Sequence, residues 1–568
     1  MILSLGFFLF VLAGLKAQQP DTYCNPLDLD YTYMIYNSHQ DRSYRSGADP
    51  AVVEFRGEYY MFVTRSMGYW HSTDLTHWRF IEPVNWYFEG SNAPAAFNYK
   101  DSLLYVAGHP SGSMSVLYSD DPAGGRWKAV PGILYDLQDP CLFIDDDGQA
   151  YMYWGSSNLY PIRGRKLDRN KRFRPDPQIT ELINLDESRH GWERFGENHT
   201  DTLEGYIEGS WMSKHGDTYY LHYGAPGTEF NVYADGVYTS TSPLGPFVYA
   251  PNNPVVYKPG GFANGAGHGS LVEGPGEQSW YFGTAALGLN VNWERRINMF
   301  PVRFDTNGLL ACNTAYGDYP HYAPSVPGRA GEHTGWMLLS YQKEVTSSTA
   351  VEGFGPEQAV DERIKSYWLA GANDGDQWLR VDLGLESWVH AVQINFQDHK
   401  SDYYGRIPGL HHRYVVEAST DGTNWEVVAD RSDSDLDTPN AYLALEKAVR
   451  TRYLRYRNIH VPTPHLAISG FRVFGLGTGK TPGRVEGLSV DRSADPRDVM
   501  IRWKPRKGAQ GYTVRWGIAP DKLYNSWQVY GEDFLDLKAL TVGQSYWFAV
   551  EAFNENGIGT LSETVACP

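Results

Sequence analysis

Three carboxylate side chains lie at matching positions of an internal repeat in the first 310 residues. The repeat is a hydrophobic strand, a polar turn and an aromatic strand, and its five copies start at Asp49, Ala93, Asp139, Glu208 and His268. Taken singly, each carboxylate could be a solvated turn residue. Buried like charges repel one another, so a hydrophobic core would not select three of them at equivalent positions. The pattern therefore predicts a functional site.

Three carboxyl groups in one site can catalyse the hydrolysis of a glycosidic bond. The reaction needs a protonated carboxylic acid at the leaving oxygen and a carboxylate that activates water or attacks the sugar carbon. Glu208 is predicted to be the acid, because its side chain is long and the nearby Trp211 would help to desolvate it. Repulsion from Asp139 would keep Glu208 protonated, and Asp49 across the axis would stay ionised as the base. Such an arrangement, with room for a water molecule, predicts inversion of the anomeric carbon.

β-Hairpins must position these carboxylates. The copies start about 45 to 70 residues apart, and each turn follows its start by about eight residues. This period is typical of a β-propeller with one such hairpin in each blade. Equivalent residues of the blades converge on the central axis, so the five starting residues should surround one site. The sequence predicts a five-bladed β-propeller over residues 25–312.

Residues 25–312 resemble glycoside hydrolase family 43, whose members are five-bladed propeller glycosidases. The resemblance covers nearly the whole range and is carried by Ala48-Asp49-Pro50, His71–Trp78, Ala93-Pro94, Asp139-Pro140, Asp147-Gly148, Glu208-Gly209 and Gly267–Ser270. It implies that Asp49 is the general base, that Asp139 tunes the pKa and orients substrate, and that Glu208 is the general acid. Ser210 is a departure, because many relatives have proline after the Glu-Gly pair.

The resemblance also implies residues that bind substrate. His268 corresponds to a central histidine that lies beside an axial water or calcium in relatives, so a structural calcium near His268 is conceivable, while catalysis needs no cofactor. A pocket arginine corresponds to Arg295, although the adjacent Arg296 could take its place. The predicted substrate-binding set is His268, Arg295, Trp154, Trp211 and Tyr223.

Composition and charge exclude several classes of protein. The 568-residue chain has a formal net charge of −18, which argues against binding to nucleic acid or an anionic membrane. Clustered histidine ligands are absent from the sequence, which disfavours a metal hydrolase. The expected partner is an oligosaccharide or polysaccharide. The length predicts three or four domains.

The N-terminal sequence predicts export from the cell. Residues 2–15 are an apolar run too short to span a bilayer, and Ala17 is a small residue at a plausible cleavage point. We therefore predict a signal peptide at residues 1–17 and a secreted or periplasmic protein that does not insert into a membrane. Cys24 and Cys312 bracket the repeats and are predicted to form a disulfide that closes the propeller, with free thiols as the alternative.

Two further β domains are predicted after the propeller. Residues 313–335 are rich in Pro, Gly, Tyr and His and read as a linker. Residues 336–475 contain short alternating strands with Asp-Gly turns, which predict a β-sandwich. This sandwich resembles the discoidin-like (factor V/VIII type C) domains, a group that includes family 32 carbohydrate-binding modules.

The last 85 residues predict a second sandwich. Residues 484–568 contain Trp503 in an early strand, and the spacing from Leu540 to Tyr546 resembles the tyrosine corner of fibronectin type III domains. No cluster of acids, nucleophiles or metal ligands appears in the sequence after residue 335. Both sandwiches are therefore expected to be dispensable for the turnover of small substrates.

These observations predict an all-β, inverting, exo-acting glycoside hydrolase that releases a terminal pentose or furanose from plant-type polysaccharide or glycan. The resemblance favours an α-L-arabinofuranosidase, with a β-xylosidase or a galactose- or galactofuranose-releasing enzyme as alternatives. A sialidase-like propeller, which needs several Ser-x-Asp-x-Gly-x-x-Trp turns, is disfavoured, because the only turn of that kind, Ser419-Thr-Asp-Gly-Thr-Asn-Trp425, lies outside the repeats and is one residue shorter. The non-enzyme alternative is a carbohydrate-binding surface protein, against which the intact carboxylates argue.

Overall fold

The computed structural model describes residues 19–35, 42–85, 92–109, 114–135 and 138–568. Within these ranges the chain consists of β-strands and loops with a few 3-10 turns, and it contains no α-helix. No helix in the described residues is long and apolar enough to cross a membrane. The prediction of an all-β chain is confirmed. The predicted signal peptide, residues 1–17, lies outside the described residues.

Five antiparallel sheets form the first half of the chain, and we call them blades 1 to 5. Each has four strands in sequence order, and blade 3 has a fifth strand. The strands are Ala51–Phe55, Glu58–Phe62, Tyr69–Ser72 and Arg79–Ile81 in blade 1; Asn92–Tyr99, Leu103–His109, Met114–Asp121 and Arg126–Tyr135 in blade 2; Cys141–Ile144, Ala150–Trp154, Ile162–Asp168, Arg174–Pro175 and Thr180–Ile183 in blade 3; Glu208–His215, Thr218–Ala225, Ala234–Ser240 and Val248–Tyr249 in blade 4; and Asn264–Glu273, Ser279–Ala286, Arg295–Phe304 and Leu310–Cys312 in blade 5.

The first strands of the blades surround a common axis. Each contacts the first strand of the next blade, and the first strand of blade 5 contacts that of blade 1. This closed ring is the arrangement of a β-propeller. Side chains at the inner ends of the five first strands therefore share one space, as the repeat predicts.

Hydrogen bonds hold the ends of the ring together. The short strand Thr22–Tyr23 pairs with His321–Tyr322. The side-chain amide of Asn25 donates to the carbonyl oxygen of Met299 at 2.9 Å and accepts from its backbone N–H at 2.8 Å. These contacts fasten the segment before blade 1 onto blade 5.

All four cysteines are buried free thiols. The prediction of a Cys24–Cys312 disulfide is therefore wrong. The Sγ of Cys24 lies 3.3 Å from the carbonyl oxygen of Asp318, in a cluster with Trp336 and neighbouring residues. Cys312 lies opposite Val302 in the outer strand pair of blade 5 and packs in a different cluster. The two thiols are thus buried in separate parts of the core.

The second β domain is a sandwich around its own apolar core. Two long, irregular strands, Trp378–Phe396 and Asn440–His460, pair with each other along most of their length. The remaining strands are Met337–Leu338, Glu344–Ser347, Trp368–Leu369, Arg413–Ser419, Glu426–Asp430 and Ala467–Leu476.

The third β domain has two sheets. Its strands are Glu486–Arg492, Val499–Lys504 and Phe534–Leu537 in one sheet, and Gly511–Gly517, Asn525–Tyr530, Tyr546–Asn554, Gly557–Ile558 and Val565–Cys567 in the other. The Oη of Tyr546 accepts a hydrogen bond from the backbone N–H of Thr541 at 3.1 Å. This bond is of the kind that a tyrosine corner makes.

The third domain shares its core with the propeller. Trp192 and Tyr257 of the propeller belong to the same apolar cluster as Trp516 and Leu540. The rings of Tyr257 and Trp516 meet edge to face at 6.0 Å. Burial of this apolar surface joins the two domains into one packed body.

Candidate active site

The residue at the inner start of every blade has a left-handed backbone conformation. These residues, with their φ angles, are Asp49 (+55°), Ala93 (+41°), Asp139 (+48°), Gly209 (+64°) and His268 (+44°). The strand registers give the same alignment of the blades. Gly209, and not Glu208, is therefore equivalent to Asp49 and Asp139, and the predicted alignment of blade 4 was wrong by one residue.

Glycine is required at position 209. A Cβ atom there would lie 2.4 Å from Cγ of His268, far inside an ordinary carbon–carbon contact. The register of this strand also shifts between Glu208 and Trp211. Such irregularities redirect side chains near active sites. Glu208 thereby reaches the axis from the position before the blade start.

The axial carboxylates line one cavity of about 490 Å³. This volume suits a small ligand. The cavity is lined by Met34, Tyr44, Asp49, Thr64, Arg65, Asn92, Ala93, Asp139, Glu208, Thr228, His268, Trp293 and Arg295. The three predicted catalytic carboxylates and two of the predicted substrate-binding residues, His268 and Arg295, are thus brought together.

Asp49 lies between a hydroxyl and two basic side chains. Its Oδ2 accepts a hydrogen bond from Thr64 Oγ1 at 2.5 Å. Its Oδ1 lies 3.4 Å from Nδ1 of His268 and 3.9 Å from Nη1 of Arg295. Nearby positive charge stabilises a carboxylate, and the hydroxyl fixes its orientation. Asp49 is therefore well placed to act as a carboxylate base.

Asp139 has a clearly raised pKa. Burial raises its pKa from the ordinary 3.8 to about 7; His268 opposes this rise, and the charges of Glu208 and Asp49 add to it. Its Oδ2 accepts a hydrogen bond from the backbone N–H of Gly209 at 3.3 Å. Near neutral pH this group therefore exchanges a proton readily beside the other two carboxyls.

Both oxygens of Glu208 are held by hydroxyl groups. Oε1 accepts a hydrogen bond from Tyr233 Oη at 2.7 Å, and Oε2 accepts one from Ser156 Oγ at 3.1 Å. Burial, followed by the charge of Glu208, raises the pKa of Tyr233 well above its ordinary value, so the phenol remains a donor. The glutamate is thus fixed in orientation at the edge of the cavity.

His268 is a basic side chain that lies between carboxylates in the cavity. Burial by itself lowers its pKa, but Asp49, Asp139, Glu208 and Asp235 raise it, and the net direction is upward. Its Nδ1 faces both Asp49 and Asp139, at 3.4 and 3.9 Å. An imidazolium here offsets the repulsion between the carboxylates.

The structure distinguishes between the two adjacent arginines. Arg295 lines the cavity, and its Nη1 donates to Thr228 Oγ1 at 3.0 Å. The buried Nε of Arg295 has no hydrogen-bond partner among the described residues. Arg296 points away from the cavity and donates from Nε to Asn440 Oδ1 of the second domain at 3.1 Å. Arg295 is therefore the pocket arginine.

The structure gives the three predicted aromatic residues other contacts. In the described structure, Trp154, Trp211 and Tyr223 do not line the cavity. Trp154 and Trp211 pack against apolar clusters between blades, and the buried Tyr223 donates from Oη to Glu193 Oε1 at 2.6 Å. Strand side chains alternate between the two faces of a sheet, and these three belong to the faces that pack.

Other aromatic and apolar residues form the wall instead. Trp293, which is 42% exposed, lies in the loop before Arg295, and Tyr44 and Met34 come from the segment before blade 1. Aromatic residues with one exposed face can stack on sugar rings. Sequence reasoning missed all three, because they lie outside the repeat.

Sequence reasoning also missed the residues whose hydroxyl groups form hydrogen bonds around the carboxylates. Tyr233 and Ser156 lie in loops that carry no repeat signal. Thr64 does carry one: it lies two residues after the second strand of blade 1, and Thr284 lies near the end of the second strand of blade 5. Thr284 Oγ1 accepts from the backbone N–H of Asp49 at 2.9 Å, and Thr64 Oγ1 accepts from that of Ala93 at 2.8 Å. Comparison of these two repeats alone could have identified both threonines.

A metal site is not evident in the described residues. No group of three or more His, Cys, Asp or Glu side chains there could hold a metal ion. The Nδ1 of His268 faces carboxylates that protein donors already hold, namely Asp49 and Asp139. A structural calcium near His268 stays a prediction, and we assign no step of the chemistry to a metal.

Comparison with protein families agrees with this geometry. Residues 44–310 match the model of glycosyl hydrolases family 43, and residues 343–468 match that of the F5/8 type C domain. The first match covers blades 1 to 5 and contains all three axial carboxylates. The second match lies in the second β domain.

Individual relatives have low identity. A beta-xylosidase of Xylanibacter ruminicola is 24% identical over 237 residues, which cover 37% of this chain and 69% of the relative. A xylan 1,3-beta-xylosidase of Vibrio sp. is 29% identical over 265 residues, covering 40% and 45%. An arabinoxylan arabinofuranohydrolase of Bacillus subtilis is 29% identical over 185 residues, covering 28% and 33%. The chain thus spans less than half of the length of the last two.

A solved structure of a glycoside hydrolase also resembles this chain. It has a TM-score of 0.43 and 21% identity, and the match covers 75% of this chain and 97% of that one. The family match and the curated relatives support a glycosidase, as the carboxylates predict.

Proposed function

We propose that this chain, whose residues 44–310 match glycosyl hydrolases family 43, is an inverting, exo-acting glycosidase that releases a terminal pentose or furanose. Arabinofuranose in α-L linkage is the first candidate. β-Xylose is the second, because two of the relatives are named as xylosidases. The observation that carries the proposal is the convergence of three carboxyl groups from separate blades on one small cavity.

The two proposed reacting groups come from non-adjacent blades. Asp49 belongs to blade 1 and Glu208 to blade 4, and His268 of blade 5 lies between these blades in the ring. In an inverting enzyme, acid and base stand apart so that a water molecule fits between the base and the sugar. Asp49 would take a proton from this water, and Glu208 would protonate the leaving oxygen.

The remaining polar groups support this division of roles. Asp139, whose pKa burial raises to about 7, would hold and release a proton close to Glu208 near neutral pH. His268 and Arg295 would balance the charge of Asp49 and bind sugar hydroxyls. Trp293 would stack on the sugar at the cavity mouth.

Product stereochemistry and substrate selectivity test the proposal together. The purified full-length protein is offered 4-nitrophenyl glycosides of α-L-arabinofuranose, β-D-xylose, and the pyranose and furanose forms of galactose. Proton NMR then follows the first-formed sugar from the best substrate. We expect a free sugar whose anomeric configuration is opposite to that of the substrate. A sugar that first appears with the substrate's configuration would exclude the mechanism.

Three further parts of the proposal concern the rest of the chain. We propose that the second domain binds carbohydrate and that the third is a fibronectin type III domain with a spacer or docking role. We also propose that the protein is secreted or periplasmic after loss of residues 1–17. N-terminal sequencing of the mature protein and affinity electrophoresis on polysaccharide gels test the export and binding proposals.

A further inference from the structure

We propose that the second β domain positions one wall of the catalytic cavity, and that Asp398 and Asp437 are the positioning residues through which it acts. The inference deepens the proposed function and rests on it, because the wall belongs to the same cavity. Neither carboxylate lines the cavity among the described residues, so neither is offered as catalytic.

The wall consists of residues 31–35 and 42–46, which we call the wall segment. Its two arms pair with each other: Tyr33 bridges to Arg45, and the backbone N–H of Met34 donates to the carbonyl oxygen of Tyr44 at 2.9 Å. Met34 and Tyr44 both line the cavity. The position of this pair of arms therefore sets one side of the sugar-binding space.

The opposite face of the wall segment is bound to the second domain. Arg45 is fully buried; its Nε donates to Asp398 Oδ2 at 3.1 Å, and its Nη2 donates to Asp437 Oδ1 at 3.0 Å. Tyr33 Oη donates to Asp398 Oδ1 at 2.8 Å. Ser43 and Ser401 join their hydroxyls at 2.6 Å. Both arms are thus tied to the sandwich by buried polar contacts.

The wall segment is also connected to the pocket arginine. The backbone N–H of Gly47 donates to the carbonyl oxygen of Arg295 at 2.9 Å, and Ser46 forms a parallel bridge with Arg295. Arg296, the next residue, donates from Nη1 to the carbonyl oxygen of Arg45 at 3.2 Å. A displacement of Arg45 would therefore move Arg295 as well as Tyr44.

The inference predicts the opposite of the expectation that the sandwiches are dispensable for small substrates. Removal of the second domain would leave the guanidinium of Arg45 without Asp398 and Asp437. Removal would also expose the face of the wall segment that the second domain covers, so the contacts that fix its position would be lost. Both the shape of the cavity and the orientation of Arg295 would then change.

Isosteric substitutions in the full-length protein test the inference. Asp398→Asn weakens the contacts with Arg45 and Tyr33, and Asp437→Asn weakens a bidentate pair with Arg45. The matched control is Asp382→Asn, whose carboxylate forms a bidentate pair with Arg452 inside the same domain, at 2.7 Å for both bonds. With the best aryl glycoside, we expect kcat/KM of the first two variants to fall about 10- to 100-fold, mainly through KM. The control should stay within about threefold of the wild type, because Arg452 is 41% exposed and holds Asp382 within the second domain.

Hydrogen–deuterium exchange provides a readout that does not depend on turnover. Peptides covering the wall segment should exchange faster in Asp398→Asn than in Asp382→Asn. If both aspartate variants match the control in KM and in exchange, the inference is wrong. If Asp398→Asn fails to fold, Tyr33→Phe replaces it, since that change removes one hydrogen bond and leaves no buried charge. A wild type that hydrolyses no glycoside would refute the proposed function, while exchange would still decide whether the sandwich holds the wall.

Discussion

Gly209→Ala is expected to damage catalysis far more than stability. The residue has φ of +64°, and a Cβ there would lie 2.4 Å from Cγ and 2.8 Å from Nδ1 of His268. An alanine in the left-handed region costs about 1–2 kcal/mol of folding free energy. The ring of His268 must also retreat by roughly 1 Å or more to restore an ordinary carbon contact.

The displaced ring would leave its place beside Asp49 and Asp139. Misplacement of a catalytic group by about 1 Å can cost about 100-fold in rate. We therefore expect kcat/KM of Gly209→Ala to fall by about two orders of magnitude. The wild-type contacts of 3.4 and 3.9 Å from Nδ1 to the carboxylates leave little room for compensation.

Gly216→Ala is the matched control. Gly216 lies in the hairpin turn of the same blade with φ of +58°, and no atom lies within 4 Å of the Cβ position. Gly216→Ala places an alanine in the same left-handed region, but its Cβ meets no neighbouring atom. Urea unfolding measures stability, and turnover of an aryl glycoside measures kcat/KM. If Gly209→Ala keeps kcat/KM within about threefold of Gly216→Ala, the assigned role of the His268 position is refuted.

Three further outcomes follow from the site. A carboxyl with a raised pKa stabilises the folded state fully below its unfolded pKa, and this contribution is lost as pH rises. Since the pKa of Asp139 rises from 3.8 to about 7, its own contribution to stability should be lost between about pH 4 and 7, and Asp139→Asn should lose less stability than the wild type over this range in parallel urea titrations. Glu208→Gln should lose several orders of magnitude in kcat/KM on alkyl glycosides and less on activated aryl glycosides, because an activated leaving group needs little protonation. Equal losses on the two substrate classes would contradict the role of Glu208 as acid. Asp49→Asn should be inactive on both classes. Trp293→Ala should raise KM severalfold with little change in kcat, and Trp388→Ala, which removes an exposed tryptophan from the second domain, should change neither.

Residue types and their spacing predicted the ring of blades and several of the residues at its axis. The hairpin repeat depends on local turn residues and alternating strands, so Asp49, Asp139 and His268 could be located from the sequence. The alignment failed by one residue at Glu208, because an irregular strand start shifts the glutamate and a glycine takes the equivalent position. Pattern alignment assumes regular strands, and such a shift is visible only in backbone angles.

The residues that line the rest of the cavity could not be predicted from the repeat. Tyr44 and Trp293 reach the site because loops outside the repeat fold over it. Aromatic residues inside the repeat, such as Trp154 and Tyr223, are instead used for packing between blades, which is the commoner role of aromatic residues in sheets. The role of the second domain was also hidden, since Arg45 and Asp398 are far apart in the sequence.

The way in which the ring is closed makes the fold independent of redox conditions. Strand pairing between Thr22–Tyr23 and His321–Tyr322 and the amide of Asn25 join the ends, and all four cysteines remain thiols. Folding therefore needs neither an oxidant nor a disulfide isomerase. Reducing agents should therefore leave its thermal unfolding unchanged.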